Sequence, residues 1–468
     1  MNDKIKARTR VRACVDGVVQ GVGFRPFVHR LAHEHELAGW VRNDARGVLL
    51  EVEGEAGALE RFLAELARRA PPLAAVERVR AQRLRATGEH GFQILESEGA
   101  SGTGGDSAGA DTAAAQVSPD VAPCGECLAE LLDPSDRRFR YPFINCTNCG
   151  PRLTIVRGTP YDRPLTTMAG FEMCAACRVE YEDPASRRFH AQPNACPTCG
   201  PAARLVDGKG ELLETADPVA VAAKMLAAGA IVAVKGLGGY HLACRADDER
   251  AVSELRARKR REEKPFALMA LDADALAALV QLAPAELELA SERERPIVIA
   301  RRQARAPVAR SVAPGCPDLG VTLPSTPLHH LLLADVTATL NAAAALVMTS
   351  GNVSDEPIAF EDDDALMRLG PLADALLVHD RPIHMRLDDS IVRSLEAPEA
   401  TAPADGPASR PLMLRRSRGY APRSLPLPHS APALLACGAE LKSTFCVAKG
   451  ARAWVGPHVG DLKSWETL

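Results

Sequence analysis

A chain of 468 residues with 46% hydrophobic content is too long for one compact core, and at about 100–200 residues per domain it should hold two to four. Its 56 basic and 60 acidic residues leave a net charge of −4, which removes the case for a non-specific nucleic-acid or polyanion binder. Thirteen cysteines, an odd number in so long a chain, exclude a small secreted disulfide framework. The N-terminal residues contain no continuous apolar run for a signal peptide, and no window reaches the ~18 apolar residues of a membrane span. A cytoplasmic, multidomain chain without nucleic-acid or membrane partners is expected, and its thiols need an explanation other than oxidation.

Residues 1–97 read as a self-contained domain. The pattern predicts a strand at Val11–Val15, a loop, a helix at Phe24–Leu37, two strands around Gly47, a helix at Ala58–Ala70 and two further strands. That βαββαβ-like order implies a helix-backed antiparallel sheet. The loop Gln20-Gly21-Val22-Gly23-Phe24-Arg25 joins strand to helix, where glycines let amide N–H groups converge, the helix N-terminus adds positive partial charge, and Arg25 offers a forked cation. The stretch from Gly17 to Arg25 resembles the acylphosphatase signature. The second element of that family follows as Gly39-Trp40-Val41-Arg42-Asn43, then Gly47. The resemblance implies a ferredoxin-like fold in which Arg25 and the amides of Gln20, Gly21, Val22, Gly23 and Phe24 bind a phosphoryl group, while Asn43 orients the attacking water. An acyl phosphate already carries a good leaving group, so positioning and charge neutralisation suffice. The alternative is an acylphosphatase fold kept only as a scaffold.

Residues 98–118 are a flexible linker by composition. In 119–204 eight cysteines form four Cys-x-x-Cys pairs: Cys124/Cys127, Cys146/Cys149, Cys174/Cys177 and Cys196/Cys199, separated by 18, 24 and 18 residues. A shift of fifty overlays the first half on the second: Asp133-Pro134 on Asp183-Pro184, Arg137-Arg138-Phe139 on Arg187-Arg188-Phe189, and Cys149-Gly150-Pro151 on Cys199-Gly200-Pro201. One structural unit is used twice. Two thiolates on a knuckle turn face one ion, and a second pair completes a tetrahedron with no open position, so two structural zinc ions are expected. Sequential four-cysteine sites fit the repeat best; an interleaved pairing is the other way to fill them. Gly150 and Gly200 are placed where the turns need positive φ. Cys14, Cys244, Cys316, Cys437 and Cys446 are read as ordinary small apolar residues.

From 205 to 430 a third region is expected. A helix at Val219–Ala228 leads to a strand at Ala230–Val234 and then Lys235-Gly236-Leu237-Gly238-Gly239-Tyr240-His241, whose lysine precedes its glycines, the reverse of a P-loop. The basic run Arg256–Lys264 ends a helix and enters the strand Phe266–Ala270; such runs are usually solvated faces. The strand Leu346–Met348 ends in Thr349-Ser350-Gly351-Asn352, small polar groups suited to ligand oxygens. The order Lys-x-Arg, Lys-Pro, Ser-x-Asn resembles the YrdC family, an α/β domain with a twisted mixed sheet that binds ATP and makes carbamoyl-type adenylates. The match implies that Lys259, Arg261, Lys264, Ser350 and Asn352, with Arg415, surround the nucleotide phosphates and carbamoyl oxygens, ATP being taken with magnesium. Asp388-Asp389 could serve magnesium, but is read first as an exposed acidic pair.

The order of these parts, with stretches such as Thr326-Pro327-Leu328-His329-His330 and His379-Asp380-Arg381-Pro382-Ile383-His384, resembles the HypF family of nickel–iron hydrogenase maturation over essentially the whole chain. The fold class is thus α+β multidomain. After a Pro/Ala-rich spacer (396–409), residues 431–468 resemble the start of the family's C-terminal carbamoyltransferase domain, through Ala436-Cys437-Gly438-Ala439-Glu440-Leu441-Lys442 and His458-Val459-Gly460-Asp461-Leu462, and a truncated domain is expected there. Glu262 and Met385 depart from the family's usual Pro and Asn. The resemblance implies three steps: hydrolysis of carbamoyl phosphate to carbamate, formation of carbamoyl-adenylate from ATP, and transfer to the C-terminal cysteine of a HypE-type partner. Rival readings are a tRNA threonylcarbamoyl-adenylate synthase-type enzyme and a non-enzymatic zinc scaffold.

Overall fold

The computed structural model describes residues 8–44, 47–97, 116–353, 356–396, 409–440 and 442–460. Most of the linker read at 98–118, nearly all of the spacer at 396–409, and Leu441, Asp461 and Leu462 fall outside them. The chain folds as two compact units, one comprising residues 1–118 and 145–200, the other 119–144 and 201–468. Among the described residues no helix is long and apolar enough to cross a membrane.

The first unit carries β1 (Arg8–Val18), α1 (Phe24–Glu34), β2 (Ala38–Asn43), β3 (Val48–Glu55), α2 (Ala56–Arg68), β4 (Ala75–Leu84) and β5 (Phe92–Ile94). The sheet order is β4-β1-β3-β2-β5; all pairs are antiparallel except the last, where β5 lies parallel to β2. This is the ferredoxin-like arrangement with one added edge strand. Alternation explains β1, whose Val11, Ala13 and Val15 are buried while Arg12 is exposed. In α2, Leu59, Phe62 and Leu66 recur at helical spacing and supply the buried stripe. The helix predicted to reach Leu37 stops at Glu34, because Glu36 turns left-handed (φ 53°) and the Leu37 N–H returns to the Ala32 carbonyl at 2.9 Å.

The cysteine region contributes two short helices in equivalent repeat positions, α3 (Gly125–Leu132) and α4 (Ala175–Glu182). Each is closed by a left-handed residue fifty apart, Arg140 (φ 56°) and His190 (φ 54°), whose N–H groups reach Leu131 O and Tyr181 O.

The second unit continues with β6 (Ala203–Asp207), α5 (Pro218–Ala227), β7 (Val232–Lys235), β8 (Tyr240–Arg245), α6 (Glu249–Lys259), β9 (Ala267–Ala270), α7 (Ala273–Leu279), β10 (Val280–Gln281), α8 (Pro284–Ser291), β11 (Ile297–Arg302), β12 (Asp318–Thr322), α9 (Pro327–Leu340), β13 (Ala345–Ser350), α10 (Asp362–Leu369), β14 (Ala375–His379), β15 (Ile391–Glu396) and β16 (Ser409–Arg415). They build one mixed sheet in the order β16-β15-β11-β12-β9-β13-β8-β7-β14-β6, with β10 beside β11; β9/β12, β7/β14 and β11/β15 are its parallel pairs. Tyr240, Leu242, Cys244, Leu268, Val298, Val321 and Val347 share its buried core. Side-chain caps start the helices that position the site: Asp217 accepts from Ala220 N before α5, and Asp248 from Ala251 N before α6. Residues 425–455 form a two-stranded ribbon, β17 (Leu425–Cys437) with β18 (Phe445–Val455).

Three expectations need correction. Gly150 adopts φ +94°, but Gly200 is not left-handed, because its N–H bonds back to Cys196 O at 2.9 Å and continues a right-handed turn. Of the five scattered cysteines only Cys244 is fully buried, where burial pushes its thiol up to about 12; Cys437 is exposed on β17. Asp388 and Asp389 are not an exposed pair, their side chains being 14% and 13% accessible and both tied to cations.

Candidate active site and metal centres

The loop between β1 and α1 forms as the glycines demand. Gly21 (φ +70°) and Gly23 (φ +73°) are left-handed, and a Cβ on Gly21 would lie 2.9 Å from the Tyr161 ring. Gly21, Gly23, Phe24, Arg25 and Asn43 line one small, partly open cavity of about 20 Å³ at the N-terminus of α1. Arg25 and Asn43 are 7% and 1% accessible. With its amide oxygen toward the guanidinium, Asn43 accepts from Arg25 Nη2 at 3.1 Å and Nε at 3.2 Å. Gln20 and Val22 stand outside the cavity lining. Gln20 donates to Asp44 O and Gly47 O at 2.7 and 2.8 Å and accepts from Tyr161 N at 3.0 Å, so it braces the loop; Val22 is buried.

The remaining wall comes from the cysteine region. Tyr161, His190 and Gln192 line the same cavity, and Asp162 Oδ1 pairs with Arg25 Nη2 at 2.9 Å. Gln192 is held by Arg163 N and Tyr181 Oη, each donating to Oε1 at 2.9 Å. Arg152 donates to Gly21 O at 2.5 Å, which fixes the loop from outside. Burial and the neighbouring Arg25 lower the His190 imidazole to about 4, so at neutral pH the ring is uncharged and does not compete for an anion.

The cysteines group sequentially: Cys124, Cys127, Cys146 and Cys149 in one cluster, Cys174, Cys177, Cys196 and Cys199 in the other, each with its sulfurs within 4.8 Å of one another. The sulfur pairs Cys146–Cys149, Cys174–Cys196 and Cys196–Cys199 are 3.8 Å apart, and Cys177–Cys199 3.6 Å. A sulfur tetrahedron about 2.3 Å from a central zinc has edges of about 3.8 Å, so both clusters fit the ion. Four sulfurs leave no coordination position for water, which makes the centres structural.

In the second unit the end of α6 meets the end of β13. Lys259, fully buried, donates through Nζ to Ser350 O (2.7 Å), Asn352 O (2.5 Å) and Asn352 Oδ1 (2.6 Å), and Ser350 Oγ donates to Asn352 Oδ1 at 2.7 Å. Desolvation, then the nearby Arg261 and Lys264, pull its ammonium well below the usual lysine range. Arg261 folds back on its own turn, donating to Lys264 O and Pro265 O at 3.0 and 2.8 Å; Lys264 is exposed. Arg415 donates to Asp389 O at 2.7 Å beside Asp388. Asp389 pairs with Arg418 (2.8 Å) and His241 (3.0 Å), and Asp388 with His458 (2.8 Å). The run Arg256–Lys264 is therefore only partly a solvated face.

Four family models match this chain: "Acylphosphatase" at 11–94, "HypF finger" at 124–156 and 173–206, "Telomere recombination" at 224–401, and "HypF Kae1-like domain" at 429–468. Carbamoyltransferase HypF2 of Cupriavidus necator is 48% identical over 97% of the chain and 55% of its own length. The chain belongs to the HypF carbamoyltransferase family. The Rhodobacter capsulatus HypF is likewise 48% identical, over 98% of this chain and 57% of that protein, so the chain spans about half the length of the curated HypF relatives it matches. A crystal structure of full-length HypF in the phosphate- and nucleotide-bound form superposes with a TM-score of 0.89 at 38% identity, covering 100% of this chain and 57% of that one.

No motif in this HypF-family sequence marks Tyr161, Asp162, His190 or Gln192. A signal did exist in the repeat: His190 stands where the first copy has Arg140, and Gln192 where it has Pro142. Arg140 instead binds Asp217 (2.8 Å) and Asp335 (2.6 Å).

The buried histidines set a pH dependence. His190 and His330 lie near 4, and burial holds His329 and His379 well below 6.5. Unfolding releases these rings to titrate normally, so the unfolded state binds more protons and stability falls as pH drops from 6.5 toward 4. The urea midpoint should decline between pH 7 and 5.5, with proton uptake on unfolding approaching four per chain; a flat profile contradicts it.

Proposed function

We propose that this chain carries the first two chemical sites of a hydrogenase-maturation carbamoyltransferase. At the first, Arg25 and the loop amides hold the phosphoryl group of carbamoyl phosphate and Asn43 orients a water; water attacks phosphorus, the P–O bond to the carbamoyl oxygen breaks, and carbamate and phosphate leave. At the second, a carbamate oxygen attacks the α-phosphorus of magnesium-bound ATP and expels pyrophosphate, leaving carbamoyl-adenylate. Lys259 anchors the Ser350–Asn352 turn there, with Arg261, Lys264 and Arg415 supplying positive charge to the phosphates. In the whole protein the carbamoyl group then passes to the C-terminal cysteine thiol of a HypE-type partner, releasing AMP; the work belongs in the cytoplasm, where that thiol stays reduced.

The observation that carries this reading is the convergence of Arg25, Asn43 and the left-handed glycines on one small cavity at a helix N-terminus. The phosphate and nucleotide in the crystallised HypF support the pairing of a phosphoryl site with a nucleotide site. The test is ATP cleavage to AMP and pyrophosphate. It should require carbamoyl phosphate, and Lys259→Met should abolish AMP formation while phosphate release from carbamoyl phosphate continues and reports a folded chain. Cleavage that needs bicarbonate and threonine instead would move the second site to threonylcarbamoyl-adenylate chemistry.

A further inference from the structure

Across Arg25 from the phosphate cradle lies a second cavity of about 550 Å³, lined by Ser97, Asp162, Tyr181, His190 and Gln192 among others. Arg25, His190 and Gln192 line both cavities, so the guanidinium stands at their boundary. A phosphoryl group seated in the cradle therefore directs the rest of an acyl phosphate toward the cysteine region's side of the site. The polar groups there are already arranged. Gln192 Oε1 is occupied by Arg163 N and Tyr181 Oη. Asp162 accepts from Arg25 Nη2 (2.9 Å) and from Gln192 Nε2 (3.3 Å), both through Oδ1, which leaves Oδ2 as an acceptor on a residue that lines the larger cavity and not the smaller. The other carboxylate on that lining, Glu96, is exposed at the rim, whereas the Asp162 side chain is 24% accessible.

Resting on the acyl-phosphate reading above, we infer that Asp162 is a specificity-determining residue that selects carbamoyl over other acyl phosphates. Carbamoyl phosphate ends in an amino group with two N–H donors; acetyl phosphate presents a methyl group in the same place. A carboxylate fixed by an arginine and a glutamine accepts from the amino group and gains nothing from the methyl. A half-buried acceptor left without a donor disfavours the analogue. A bare acylphosphatase fold lacks this group, because Asp162 belongs to the cysteine region.

The experiment compares kcat/KM for phosphate release from carbamoyl and acetyl phosphate by the full 468-residue zinc-loaded chain. The unmodified chain should prefer carbamoyl phosphate, and Asp162→Ala should lower that ratio by at least about 10-fold. Asp162→Asn, which keeps an acceptor, should recover part of the ratio and serves if the alanine variant fails to fold. Glu96→Gln should keep it. An equal loss for both substrates makes Asp162 only a positioning residue for Arg25 and overturns the inference. So does a ratio near one in the unmodified chain, which would leave the acyl-phosphate reading intact. Release from neither substrate would overturn that reading itself.

Discussion

Arg25→Ala is expected to reduce phosphate release from carbamoyl phosphate by about 10²–10³-fold or more. Arg25 is 7% accessible, so solvent replaces its donors poorly, and its removal leaves the Asp162 carboxylate without a paired cation, facing an incoming dianion. Both effects weaken the transition state, where negative charge on the phosphoryl oxygens is greatest. Arg25→Lys should recover little, because a single ammonium cannot span Asn43, Asp162 and a phosphate oxygen as the fork does. The double variant Arg25→Ala with Asp162→Asn should restore stability but not turnover. Phosphate release, followed alongside thermal unfolding, checks this; undiminished release by Arg25→Ala would place the chemistry elsewhere.

Zinc removal should have the second large effect. Structural zinc in thiolate sites contributes an apparent ~10–16 kcal/mol to the folding of its module. Two zinc ions per chain should be released by a thiol-reactive mercurial with a chelating dye. Cys196 favours reloading: burial opposes ionisation, but hydrogen bonds from Thr198 N–H and the neighbouring thiols bring it to about 6. The centres perform no chemistry, yet phosphate release should be lost with the metal, because Tyr161, Asp162, His190 and Gln192 hang on the zinc-bound segment. Cys177→Ser should act in the same way, since His190 and Gln192 lie in the loop that its cluster closes. Full activity in a zinc-free chain would show that the acylphosphatase domain works without its zinc-module wall.

Much of this was legible along the chain. The glycine spacing at 20–25, the Asn43 element and the eight cysteines are local patterns, and local patterns dictate turns, helix starts and knuckles directly. Lys259, Ser350 and Asn352, read along the chain as one group, are neighbours in the fold, since strand ends and helix ends are readable from periodicity. What the ammonium touches was not readable: its three acceptors are chain carbonyls and one side-chain oxygen brought in by β13. Asp388 and Asp389 misled for the same reason. A pair of adjacent carboxylates looks solvated until distant Arg418, His241 and His458 are folded against it.

The sequence by itself determined the domain order, the two cysteine repeats, the glycine turn at 20–25 and the family. These depend on neighbours within a few residues or on repetition at a fixed interval. Only the tertiary structure decided that the cysteines pair sequentially, and that Asp162, His190 and Gln192 close the cavity begun by Arg25, 137 residues upstream of Asp162. No local rule relates positions so far apart: they meet because Gly21 and Gly23 lack side chains where Tyr161 and Thr147 pack. That complementarity exists only between folded surfaces.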